Sequence, residues 1–161
     1  MMRWLMVGWL LMGTYGAFGQ QYTADIQNLT VDNGLPDNSV NCFYQDQMGF
    51  IWIGNQTGIT RYDGHSFKHF PIEGDQLETY PSVKIIGDAQ QLLIATSGAG
   101  LYQLNLQTHE LRQYPTEVES IGYGKNVKDV FQAKDKSIWL TTELGVYRKK
   151  RSDQYFQNIR L

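Results

Sequence analysis

Apolar residues in this chain fall into short runs set apart by turn residues, and the runs are of two kinds. The first kind is apolar almost without a break, as in Phe50-Ile-Trp-Ile53 and Leu92-Leu-Ile94. A strand with one wet face would alternate, so a continuous run predicts a strand covered on both faces. The second kind alternates. In Ser66-Phe-Lys-His-Phe70, Phe67 and His69 take one face and Ser66, Lys68 and Phe70 the other, which predicts a more exposed strand. Asp63-Gly64 is a tight-turn pair, and Gln107-Thr-His-Glu110 is a polar break at the corresponding place further on. The 16 Gly, 10 Tyr and 4 Trp, with only 4 Pro, also favour strands and tight turns. The predicted class is all-β.

The runs recur at fixed spacing. Val40, Trp52 and Gly58 match Val127, Trp139 and Gly145, each 87 positions on. A weaker copy lies between, in Val83-Lys-Ile-Ile86, Leu92 to Thr96 and Gly100-Leu-Tyr102. Gly58 to Gly100 is 42 positions and Gly100 to Gly145 is 45, the period of a four-stranded propeller blade, ~40–45 residues. A blade sandwiched between two neighbours supplies the two-sided cover that the continuous runs need. Three repeats are expected, over 38–80, 81–124 and 125–161, giving about three four-stranded blades of an incomplete β-propeller. Residues 22–31 read as an extra strand, a clasp for a distant blade, followed by a turn at Asn33-Gly34-Leu35-Pro36. Trp52 and Trp139 are candidate ligand platforms, but aromatic wedges filling the space between blades suit the pattern better.

The first 19 residues differ from the rest. Arg3 and the terminal amine supply positive charge, Trp4 to Met12 is apolar, and Ala17-Phe18-Gly19 puts small residues at a cleavage site before Gln20. This is the pattern of a secretory signal peptide, so residues 20–161 form the expected mature, exported chain. An uncleaved anchor is the rival, although the apolar run is short for a span of about 20 residues. The formal net charge is −2, neither basic enough for a nucleic-acid partner nor polar enough for a disordered chain. Cys42 is the single cysteine, so an internal disulfide is excluded, and its neighbours Val40, Phe43 and Tyr44 suit a buried thiol better than a reactive one.

Several motifs carry tempting chemistry. Thr108-His-Glu-Leu-Arg112 imitates a phosphoacceptor box, yet its flanks read as a β-hairpin. His65 and His69 are four apart, a zinc spacing only on a helix, and here they fall on a turn and a strand. Arg148-Lys-Lys-Arg151 aligns with the Asp63-Gly64 turn and reads as a solvated tip. Glu117 and Glu119 sit in a polar loop. No phosphate loop, nucleophile elbow or metal-spaced acid cluster is present, so catalytic, metal and cofactor residues are expected to be none, and the ligand-binding residues stay unknown.

Gly34-Leu-Pro-Asp-Asn-Ser-Val40, Asp46-Gln-Met-Gly49-Phe-Ile-Trp-Ile-Gly54 and Gly58-Ile-Thr-Arg-Tyr-Asp-Gly64 together resemble the two-component regulator propeller repeat. The structural repeat positions are Asp46, Gly49, Trp52, Gly54, Gly58, Asp63, Gly64, Gly100, Trp139 and Gly145. The second copy lacks the Trp and the Asp-x-x-Gly turn, and the third has Thr141 where the strand Gly would be. The resemblance implies a periplasmic, non-catalytic sensing segment of a two-component sensor histidine kinase, often of hybrid type, from Bacteroidetes-type bacteria. On it the chain is expected to be an N-terminal fragment of a longer, membrane-bound sensor. The expected partners are a small-molecule or oligosaccharide ligand, and further propeller repeats or a second copy of the chain. An exported binding or scaffold module without a kinase, a propeller enzyme (lyase or hydrolase), and a regulator with a DNA-binding output remain open as alternatives.

Overall fold

Runs of β-branched, aromatic and leucine residues form the strands of this computed structural model, which describes residues 26–72, 80–114 and 125–159. The first sheet holds β1 (Cys42–Gln45), β2 (Ile51–Asn55), β3 (Gly58–Tyr62) and β4 (Phe67–Pro71). The second holds β5 (Ser82–Gly87), β6 (Gln91–Thr96), β7 (Gly100–Asn105) and β8 (Leu111–Gln113). The third holds β9 (Val127–Gln132), β10 (Ile138–Thr142), β11 (Gly145–Lys149) and β12 (Gln157–Asn158). Each sheet is an antiparallel meander with its strands in chain order. The described residues are therefore all-β, in three four-stranded blades.

The blades pack in series, with β5 against β1 and β2, and β9 against β5 and β6. The middle blade shows why its central strand is continuously apolar. Leu92 and Ile94 of β6 face the first blade and join Trp52, Ile59, Phe70 and Ile85. Leu93 and Ala95 face the third blade and join Leu101, Val127, Val130 and Leu140. Successive side chains of a strand point to opposite faces. One run of four apolar residues thus serves two interfaces. Trp52 is 1% exposed, and burying a Trp of 150–250 Å² at about 25 cal/mol per Å² contributes about 4–6 kcal/mol.

The 87-residue offset is also an offset of register. Trp52 pairs with Tyr44 and Arg61, while Trp139 pairs with Phe131 and Arg148. It fails at one end. Val127 is fully buried inside β9, whereas Val40 precedes β1 and is 48% exposed. Val127 rests on the middle blade; Val40 belongs to the first blade, which has no described blade before it.

The strand expected over 22–31 is not found in its described part. Residues 26–30 are irregular and Val31–Asn33 is a single 3-10 turn, ended by Gly34 at φ 102°. A clasp must hydrogen-bond to the edge of another sheet, and none of the three described sheets takes a fifth strand. Instead Gly34 comes against Phe67 on the outer face of the first blade, and Leu35 is buried. The leader segment, residues 1–19, lies outside the described residues. Among those described, no helix is long and apolar enough to cross a membrane.

Candidate functional site

The repeat positions lie in turns and at blade contacts. Asp46 closes the turn between β1 and β2: its Oδ1 accepts from the backbone N–H of Met48 (2.9 Å) and Phe50 (3.0 Å), and its Oδ2 from Trp52 Nε1 (2.8 Å). One buried carboxylate thereby ties the turn to the wedge between the blades. Gly49 sits in this turn at φ 89°. The third blade builds the same turn with other residues. Lys136 takes the left-handed position at φ 67°, and Ser137 Oγ accepts from Trp139 Nε1 at 3.0 Å while bonding Asp135. The second blade joins β5 to β6 by a loop one residue shorter, since Gly87 pairs with Leu92 where Gln45 pairs with Ile51.

Gly54 lies at a close contact between the first two blades. A Cβ there would meet Cys42 Sγ at 2.5 Å and Ser82 Cβ at 2.9 Å. Its counterpart Thr141 is exposed on the outer face of the third blade, where nothing described crowds it. Gly58, Gly100 and Gly145 open the third strand of each blade at φ 146°, 85° and 127°. The turns before them are knit by Asn55, Thr96 and Thr142, at equivalent positions. Asp63 and Gly64 form the tip between β3 and β4, a four-residue loop. There Asp63 accepts from the N–H groups of Ser66 and His65, which hold its carboxyl down at about 2.

Trp52 and Trp139 occupy equivalent positions in unlike surroundings. Trp52 and its counterpart Leu93 both face the next blade and are buried. Trp139 faces away from the middle blade, half-buried, with the Arg148 guanidinium 5.3 Å from its ring centre. Trp139 is thus not a wedge within the described blades. Arg148 and Lys149 belong to β11, and only Lys150 and Arg151 lie in the exposed turn, held by the Lys150–Asp153 pair of bonds.

The histidines do not converge on a metal. His65 is in the turn, and His69 is on β4 with its ring nitrogens at 3.0 Å from Thr60 Oγ1 and 3.4 Å from Thr57 Oγ1. Among the described residues no three His, Cys, Asp or Glu side chains come together. His109 stands at the tip of the hairpin between β7 and β8, not on a helix. Cys42 is packed at the first interblade contact, its Sγ 3.5 Å from Ser82 O, and burial pushes its thiol up to about 11. Glu117 and Glu119 lie outside the described residues.

Among the described residues a cleft lies elsewhere. The final residues of β1, β5 and β9 meet around a cleft of about 270 Å³, whose lining includes Tyr44, Gly87, Asp88, Gln91, Phe131 and Gln132. Each blade contributes the end of its first strand. Tyr44 Oη donates to Gly87 O at 3.0 Å, joining the first two blades across it. Asp88 is fixed by accepting from the N–H groups of Gln90 and Gln91, and Gln91 bonds Gln103 through their side-chain amides. Phe131 is 61% exposed and forms one wall. An aromatic face beside amides, a hydroxyl and a carboxylate is equipped to stack on and hydrogen-bond a small polar ligand. None of these residues stands out in the sequence. The available signal is that Tyr44 and Phe131 are again 87 positions apart, at the end of the first run of their copies.

Residues 34–57 match the family described as two component regulator propeller. A 42-residue stretch is 38% identical to Histidine kinase P4 of Formosa agariphila, covering 26% of this chain and 3% of that protein. Among solved structures, the extracellular domain of the hybrid two component system BT3049 from B. thetaiotaomicron is similar, with a TM-score of 0.67 and 22% identity over 83% of this chain and 20% of that one. PorZ, an essential surface component of the type-IX secretion system of Porphyromonas gingivalis, has a TM-score of 0.52 at 20% identity, over 69% of this chain and 17% of that one. The chain therefore spans a small part of the length of each of these three proteins. The matched segment runs from Gly34 through Asp46, Trp52 and Gly54 of the first blade, so residues 34–57 are similar to a two-component regulator propeller repeat, within an all-β, propeller-type fold.

Proposed function

We propose that the chain is a ligand-sensing propeller segment of an exported two-component sensor, acting by binding and not by catalysis. The observation that carries this reading is the family match over residues 34–57, which hold the first two strands of the first blade, in a fold shared with the extracellular domain of a hybrid two component system. The cleft supplies a place for the ligand, a small polar molecule or an oligosaccharide. All three blades line it, so an occupant that favours one blade packing over another biases the whole array, and the bias passes to a kinase joined to it. Further repeats or a second copy would cover the outer blade faces. The likeness to PorZ favours a second reading, an exported binding module without a kinase.

Both readings are tested on one protein. A panel of neutral and acidic mono- and oligosaccharides is titrated calorimetrically against the chain and its Phe131→Ala and Gln91→Ala variants. Saturable binding lost in both variants supports the cleft, and binding unchanged by them removes it as the site. An antibody to the first blade then separates the readings in the native organism. A band far above 18.5 kDa that incorporates phosphate supports the sensor, and a band that never does so supports the module.

A further inference from the structure

Three basic side chains from two blades meet at the outer rim between the first and second blades. Arg61 comes from β3, Lys68 from β4, and His109 from the hairpin tip between β7 and β8. Arg61 Nη1 lies 3.3 Å from His109 Nε2. A guanidinium only donates, so His109 accepts here through Nε2 and is neutral. The buried Nε of Arg61 has no hydrogen-bond partner. Both cations are laid on aromatic rings, Arg61 at 4.6 Å from the centre of Phe50 and Lys68 at 5.2 Å from that of Phe70. Phe70 also packs on the His109 ring at 5.9 Å. The backbone of His109 is held at φ 58°, a conformation costly for a residue with a Cβ.

This is an unusual way to hold an arginine. A guanidinium's strongest partner is a carboxylate, phosphate or sulfate, taken by two parallel N–H bonds. Here one arm is spent on a neutral imidazole and Nε is left dry, an arrangement that calls for an absent partner. His109 is held below its ordinary range by desolvation first, and then by the charges of Lys68 and Arg61. Glu110, next along the same tip, is exposed.

We infer that Arg61, Lys68 and His109 form an oxyanion-binding site bridging the first two blades, for a phosphate, sulfate or carboxylate group. The guanidinium rolls on Phe50 to present Nε and an Nη to the oxyanion, Lys68 adds its charge, and His109, released from Arg61, protonates to become a third donor. The site is separate from the cleft, and the anion would take over from the Arg61–His109 bond the link between the second blade's hairpin tip and the first blade.

The test follows the three histidine imidazoles of the full chain by NMR. Sodium sulfate, phosphate and acetate are compared with sodium chloride at constant ionic strength. The expected result is a saturable rise in the pKa of His109 past its ordinary 6.5, with His65 unmoved, about tenfold weaker in Arg61→Gln and several-fold weaker in Lys68→Gln. The anion that saturates at the lowest concentration names the class. A His109 titration that moves as far with chloride as with any oxyanion overturns the site. So does saturation unchanged in Lys68→Gln, an exposed position that decides the matter even where Arg61→Gln fails to fold.

Discussion

At the scale of single residues, this chain spends its polar groups on turns and blade contacts. Asp46 satisfies two turn N–H groups and the indole of Trp52 at once. Ser82 Oγ donates to Gly58 O at 2.9 Å, and Ser97 Oγ to Asn126 Oδ1 at 3.0 Å, each bond crossing between blades. Cys42 gives a pH-dependent test of the first of these contacts. Its folded pKa of about 11 stands above the ordinary 9.0 of a free thiol, so burial favours the protonated form. The corresponding stability is fully present below about pH 9 and is lost as pH rises towards 11. Urea melts of the chain and of Cys42→Ala at pH 8, 9.5 and 10.5 isolate this effect from the half-buried Tyr44, Tyr102 and Tyr114, whose hydroxyls desolvation also pushes up. The gap between the two proteins should narrow with pH, and a constant gap would show that the thiol is not buried at the contact.

At the scale of elements, the same hairpin recurs with different residues in it. Gly49 and Lys136 hold equivalent left-handed turn positions, but only the glycine does so without strain. Lys136→Gly should therefore stabilise the third blade by up to about 1 kcal/mol, and Gly49→Ala should destabilise the first by a similar amount. Denaturant midpoints measure both, and a Lys136→Gly variant less stable than the parent would mean that the turn relaxes in solution. The element pattern was largely legible in advance. Continuous runs became the central strands β2 and β6, the alternating run became β4, and the glycines 42 and 45 positions apart open β3, β7 and β11. The described part of the 22–31 segment, residues 26–31, forms no strand, since a strand exists only where another edge completes its hydrogen bonds.

At the scale of the whole molecule, the described blades are covered unequally. The middle blade is apolar and buried on both faces, and the outer two are not. Phe43 of the first blade is 76% exposed and Phe131 of the third 61%, although their strand neighbours are packed. On the third blade Phe131, Trp139 and Val146 stand where Tyr44, Trp52 and Ile59 of the first are covered by the next blade. Uncovered apolar faces of this kind drive association. The purified chain should self-associate at micromolar concentration, and Phe131→Ser with Val146→Thr should shift it towards monomer in sedimentation velocity. A wild-type chain that stays monomeric and melts cooperatively would show that the three blades suffice by themselves.

The sequence by itself determined the strands, the blade period and the turns, because these follow from local alternation, glycine conformations and spacing along the chain. It also carried the family resemblance, which lies in the first blade's own motif. Tertiary structure alone decided which tryptophan is buried, that Tyr44, Asp88 and Phe131 share a cleft, and that Arg61 meets His109. Those outcomes depend on which blade covers which face, a relation between residues 40 to 90 positions apart that no local pattern encodes.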